Sequence, residues 1–158
     1  MRYLKITLLL LLTFIFISSC GYKVIDGFET KDFNLKEIQL YGDKRINFKI
    51  KNDLIFNNSK SNNNNIIMEL HTNKTKNVKE KNIKNEITKY EISLNSKIQL
   101  NFIELGLKET FQIFTAGSYT VSDKYSTTLK NEKRLIDDLT NDISNKIQKR
   151  INLIINDL

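Results

Sequence analysis

The chain contains no proline, no tryptophan, one histidine, one cysteine and five glycines in 158 residues. Each scarcity removes a class of protein. The lone Cys20 cannot close an internal disulfide or build a cysteine-ligated metal site, and the lone His71 cannot supply a multi-histidine zinc site. The scattered glycines form no phosphate-binding loop, and no serine stands in a nucleophile-elbow sequence. Carboxylate pairs such as Glu86 and Glu91 occur at spacings that strands and helices produce by chance. No enzyme, metal or redox cofactor is expected, and His71 reads as a structural or surface residue rather than a general base. Alanine (Ala116 alone) and arginine are also rare, while lysine, asparagine and isoleucine abound. Such a bias accompanies AT-rich coding sequence, so part of the basicity is background. A binding patch therefore has to be argued from position.

What the chain does have begins at its N-terminus. Met1-Arg2-Tyr3-Leu4-Lys5 is a short positive region, and Ile6 to Ile17 is an almost unbroken apolar run of signal-peptide length. A membrane span needs about 20 such residues. The run ends at Ile17-Ser18-Ser19-Cys20, the pattern of a bacterial lipobox. Small side chains let a peptidase grip the extended backbone, and a thiol can form the thioether to diacylglycerol. Cleavage then leaves Cys20 as the lipidated N-terminus, anchored by about 0.8 kcal/mol per buried methylene. The other reading of Cys20 is an incidental thiol behind an ordinary secretory signal; its offset and its being the sole cysteine favour lipidation. Gly21, rather than an aspartate, in the next position matches an outer-membrane destination. Without Arg2 and Lys5 the formal charge falls from +7 to +5. The division expected is a signal peptide over 1–19, a lipidated lead over 20–34 and one domain over 35–158.

Within that domain the hydrophobic period alternates between strand and helix. Leu35 to Tyr41 alternates as a strand. Asp43 can cap a helix from Lys44 to Phe56, in which Ile46, Ile50 and Leu54 form the apolar stripe. Asn57 to Asn65 is a polar loop whose side chains compete with backbone pairing, and Ile66 to Thr72 is a second strand. The lysine-rich Asn73 to Asn85 section reads as a mobile connection. Tyr90 to Phe102 alternates over a long strand; Leu105-Gly106-Leu107 turns the chain, and Phe111 to Val121 returns as the second arm of a hairpin. From about Thr128, Leu135, Leu139, Ile143, Ile147, Ile151, Ile154 and Leu158 line one face of a long helix, with acidic residues early and basic residues late on the other. The fold expected is α+β, a two-layer α/β sandwich in the order β-α-β-β-β-α, with two helices on one face of a four-stranded, mostly antiparallel sheet.

With the lipobox, Cys20-Gly21-Tyr22, this element order, the hairpin running into Ala116-Gly117-Ser118-Tyr119 and the C-terminal helix, nearly the whole mature chain resembles the LptE family of outer-membrane lipoproteins. Cys-Gly-Tyr is the sharp local signature. The resemblance implies a non-enzymatic protein that plugs and helps assemble the β-barrel translocon LptD and assists lipopolysaccharide delivery to the outer leaflet. Its implied partners are LptD, lipopolysaccharide and the membrane, with no cofactor beyond the diacylglycerol and acyl chain on Cys20. Basic residues before the long hairpin and near the start of the last helix contact the lipid in that family; here Lys79, Lys81 and Lys84 stand in the first region, and Lys124 and Lys130 in the second. The first region lacks an arginine, which departs from the family's pattern and weakens bidentate phosphate recognition.

Three other readings compete. A periplasm-facing interaction or chaperone-like lipoprotein would share the anchor and the fold but not the barrel. A nucleic-acid binder is suggested only by the pI; a lipobox puts the domain outside the cytoplasm, and Tyr90 and Phe102 stand too far apart to form a stacking platform. A lipid-modifying enzyme would need a nucleophile and base that the chain does not offer.

Overall fold

The computed structural model describes residues 33–56 and 65–157. The signal, Cys20 and most of the Asn-rich loop lie outside the described residues. In chain order the elements are β1 (Asn34–Gly42), α1 (Lys44–Phe56), β2 (Asn65–Lys81), β3 (Ile87–Phe102), β4 (Leu107–Thr120) and α2 (Tyr125–Asn156). The sheet order is β1-β2-β3-β4. β1 and β2 run parallel, joined by α1 as a crossover, whereas β2, β3 and β4 form an antiparallel meander. The expected α+β order and mixed sheet are thus observed.

Alternation along the strands sends one set of side chains inward. Ile66, Met68 and Leu70 of β2 and Ile92, Leu94, Ile98, Leu100 and Phe102 of β3 are almost wholly buried, together with Ile46, Ile50 and Leu54 of α1 and Ile143, Ile147 and Ile151 of α2. Each such side chain contributes about 1.5–3 kcal/mol by leaving water. The helical stripes read from the sequence face the core, except that Leu158 lies outside the described residues and that Phe48 and Ile55, which widen the α1 stripe in the sequence, are exposed.

The turn from β1 into α1 depends on two residues. Gly42 has φ of +87°, and a Cβ built on it would lie 2.2 Å from the Thr72 carbonyl oxygen. Only glycine tolerates that position. Asp43 follows, its N–H donating to the Thr72 carbonyl at 2.8 Å and its carboxylate accepting from the N–H groups of Arg45 and Ile46 at 3.1 Å each. This is the helix cap anticipated for Asp43.

Two expectations need correction. The lysine-rich stretch after Thr72 is not a mobile connection: it continues β2 to Lys81, paired with β3 in regular register to Val78 and with register shifts between Val78 and Lys81. Lys74, Lys76 and Val78 stand opposite Leu94, Ile92 and Tyr90, so the aliphatic lysine stems take the places of apolar side chains. The long helix also begins earlier, at Tyr125, and has no acidic residue in its first turn and no basic residue in its last. Its acidic-to-basic ordering lies in the interior, out of reach of the terminal dipole charges.

Among the described residues the other face of the sheet carries no helix, and it is dominated by uncharged polar groups. Across the strands its rows read Gln39, Glu69, Gln99 and Thr110; Tyr41, His71, Lys97 and Gln112; and Asn73, Asn95 and Phe114. His71 thus lies on the exposed face, its ring tilted against that of Tyr41 at 6.5 Å.

Candidate functional site

The five lysines singled out from the sequence gather at one end of the sheet. Lys81 pairs with Ile87 and Lys89 with Thr120, so the β2–β3 turn and the junction of β4 with α2 share that end. Lys79 forms an ion pair with Glu91 at 2.9 Å, and the Lys81 amine donates to the Asn85 side-chain oxygen at 3.0 Å. Lys84 lies in the turn itself. There the Asn82 side-chain oxygen accepts from the N–H groups of Lys84 and Glu86, and Asn85 adopts a left-handed φ of 64°. Lys124 immediately precedes α2 in an extended conformation, and Lys130 is exposed on its second turn. Among the described residues neither Lys84, Lys124 nor Lys130 has an anionic partner. Exposed apolar groups stand with them: Ile83 at the turn, fully exposed, and Tyr125 and Leu129 on α2. Cations and apolar side chains therefore share one end.

Just inside that end lies a cluster that the sequence reading passed over. The Lys76 amine sits 2.7 Å from a Glu132 carboxylate oxygen, and the Tyr119 hydroxyl donates to the same oxygen at 2.8 Å. That amine also lies 4.5 Å from the centroid of the Tyr90 ring and 5.4 Å from that of Tyr119, and the two rings stack at 5.7 Å. Cation–π attraction and a charge-assisted hydrogen bond thus act on one ammonium. Burial works against each charge here but does not prevail. The bonds to Lys76 and Tyr119 hold the Glu132 carboxyl below its usual range, and those to Glu132 and Tyr119 raise Lys76. Burial and the carboxylate beside it push the Tyr119 phenol up.

Between the first turn of α1 and α2 lies a cavity of about 480 Å³, lined by Arg45, Ile46, Lys74, Leu129, Glu132 and Lys133 among others. None of the five sequence-picked lysines lines it. The signal for this cluster was available only in combination: Lys76 had to be read as a strand residue facing Tyr90 and Tyr119 before Glu132 acquired a partner. Among the described residues no group of three or more His, Cys, Asp or Glu side chains is arranged to hold a metal ion, and no helix is long and apolar enough to cross a membrane.

The arrangement of two helices on one face of a β1-β2-β3-β4 sheet is a fold found in bacterial lipoproteins. Rare lipoprotein B from Shewanella oneidensis superposes with a TM-score of 0.58 at 11% identity, over 76% of this chain and 97% of its own. An uncharacterized lipoprotein B from Nitrosomonas europaea superposes with a TM-score of 0.57 at 9% identity, over 82% of this chain and 90% of its own. Identities this low establish a shared fold. Neither a protein-family profile nor a curated protein sequence matches the chain.

Proposed function

We propose that this chain is a non-catalytic outer-membrane lipoprotein, anchored through acylated Cys20, that occupies the lumen of a large β-barrel of the LptD type. There it helps the barrel to assemble and lipopolysaccharide to reach the outer leaflet. The observation that carries the reading is the sheet face on which no helix packs among the described residues, with Gln39, Asn73, Asn95, Gln99 and Gln112 spread across four strands. Amide side chains both donate and accept hydrogen bonds, and the interior of a transmembrane barrel is polar and wet. Such a face suits a lumen wall better than it suits lipid or an apolar partner. The lipobox and the fold shared with lipoproteins support the same reading.

Lipopolysaccharide is the finer part of the proposal. Its phosphates and carboxylates need cations, and its acyl chains need apolar surface. The sheet end with Lys84, Lys124 and Lys130 beside Ile83 and Leu129 supplies both. Lys79 and Lys81 contribute less, because Glu91 and Asn85 already engage them.

The deciding experiment is an affinity pull-down of the tagged, detergent-extracted protein from its native envelope, with co-purifying chains identified by mass. Recovery of a stoichiometric large β-barrel is expected. An intact, folded lipoprotein that brings no barrel leaves a generic periplasm-facing interaction module instead. For the anchor, Cys20→Ala is expected to abolish acylation and membrane retention without unfolding the domain. A Cys20→Ala chain that still sediments with the outer membrane in cells lacking the barrel would remove the lipidation assignment.

A further inference from the structure

Among the described residues three strand stretches have an open side, and they differ in how they are guarded. The outer side of β1 carries Lys36 and Glu37 at a register irregularity between Leu35 and Glu37. β2 beyond Thr72, where β1 has ended, carries Lys74 and Lys76. Charges and bulges on an edge are the usual defences against strand addition. β4 has neither: from Thr110 to Ser118 it contains no charged residue and pairs with β3 in unbroken register.

The hydrogen bonds show which β4 groups face outward. The N–H of Val121 donates to the Thr88 carbonyl at 2.9 Å, so Thr88 directs its backbone toward β4. By strand alternation Tyr90, Ile92, Leu94 and Ser96 do the same, and their partners Tyr119, Gly117, Thr115 and Ile113 face back. The intervening residues Thr110, Gln112, Phe114, Ala116 and Ser118 therefore turn their N–H and C=O groups away from the sheet. Among the described residues these groups have no partner. Phe114, at the middle of the stretch, is 64% exposed.

We propose that this edge is a self-pairing seam: two copies of the chain join along β4, antiparallel, about a twofold axis through Phe114. In that register Phe114 faces its own counterpart, Gln112 faces Ala116, and Thr110 faces Ser118. No row sets like charges opposite one another, and aromatic side chains meet on the axis, where cross-strand pairing favours them. About ten backbone hydrogen bonds close the seam. The same operation on the β2 edge would set Lys76 against Lys76, so that edge disfavours the second copy that β4 accepts. Between Thr110 and Ser118 β4 itself offers a strongly charged strand no counter-charge, Arg134 and Asp138 of α2 standing beside only its Ser118 end, which makes the uncharged strand of a second copy the matching occupant. The interface is isologous and closed, so it stops at a dimer. This inference goes beyond the barrel reading and concerns the free, anchored chain.

Sedimentation of the acylated full chain in detergent, alone and across a range of concentrations, tests it. A monomer–dimer equilibrium is expected for the wild type. Phe114→Lys, on an exposed side chain, is expected to weaken it at least about tenfold. Register is checked with the double variant Gln112→Cys/Ala116→Cys. Opposed Cα atoms of a hydrogen-bonded antiparallel pair lie about 5.5 Å apart, within disulfide reach. It should cross-link into dimers under mild oxidation, while Thr110→Cys, which would face Ser118, should not. A strictly monomeric wild type, a dimer indifferent to Phe114→Lys, or equal cross-linking of Thr110→Cys would each overturn the proposal.

Discussion

The two halves of the sheet are built differently. Where β2 lies between β1 and β3, the interior is mostly aliphatic: Ile66, Met68, Leu70, Ile98 and Leu100, with Phe102 beside them, meet α1 and the later turns of α2. Beyond Thr72 three strands remain among the described residues, and beneath the start of α2 the buried Tyr119 and the half-buried Tyr90 and Glu132 meet the amine of Lys76, whose side chain stays exposed to solvent. The aliphatic half holds the fold by non-directional burial, which has little dependence on pH or salt. The polar half is held by directional bonds between charged groups. The half that stabilises and the half that offers chemistry are thus separated along the same strands.

That contrast can be broken most strongly from the aliphatic side. Ile147→Ala, at a wholly buried position of α2, is expected to lower stability by about 2–5 kcal/mol, read as a reduced urea midpoint with unchanged slope. A loss below 1 kcal/mol would mean that the site collapses around the deletion. In the polar half, Glu132→Gln is expected to cost about 0.5–1 kcal/mol at neutral pH, because the Lys76 ammonium loses a charged partner in a pair that solvent partly screens. The folded state holds the Glu132 carboxyl low. Its contribution is therefore present above the unfolded carboxyl value of about 4.3 and is lost as pH falls through the folded value. Lys76 and Tyr119 are both raised, so their contribution is full below about 10 and lost as pH climbs through their folded values. The wild type should lose stability at both extremes, and Glu132→Gln should flatten both limbs; an unchanged acid limb would show that Glu132 does not titrate with folding. The smallest effect on stability is expected at the exposed lysines. Lys130→Glu should move the urea midpoint by no more than the equivalent of about 0.5 kcal/mol, yet weaken lipopolysaccharide binding more than Lys60→Glu. Equal weakening by the two would reduce the sheet end to unspecific charge attraction.

The aliphatic half was legible in the sequence, because its residues repeat at strand and helix periods and need no partner to be recognised. Lys44 to Phe56 was bounded as the helix it is, and its capping aspartate was named. β2 reads as ending at Thr72 because Lys74 and Lys76 look solvated; both do remain exposed, and it is pairing with β3, far along the chain, that makes them strand residues. The sequence pattern starts α2 only near Thr128, since Tyr125 and Leu129 expose their apolar groups and form no stripe. The lysines of the sheet end were picked from two separate stretches, and their meeting there depends on the β2–β3 and β3–β4 registers. Cys20, the sharpest motif, lies outside the described residues.

Gly42 has a consequence in time as well as in space. The turn at Gly42 ends β1 opposite Thr72 and sends the chain into α1, so this edge strand meets its one sheet partner among the described residues only after α1 and the polar segment before β2, whereas β2, β3 and β4 close through short local turns. Contacts near in sequence form sooner than distant ones. The meander should therefore assemble first and β1 should dock late. Conservative mutations in β1 would then accelerate unfolding and leave the refolding rate nearly unchanged, and slowed refolding would contradict this order. A chain delivered N-terminus first exposes β1 before the strand it pairs with has arrived, so its earliest segment spends the longest time waiting for a partner.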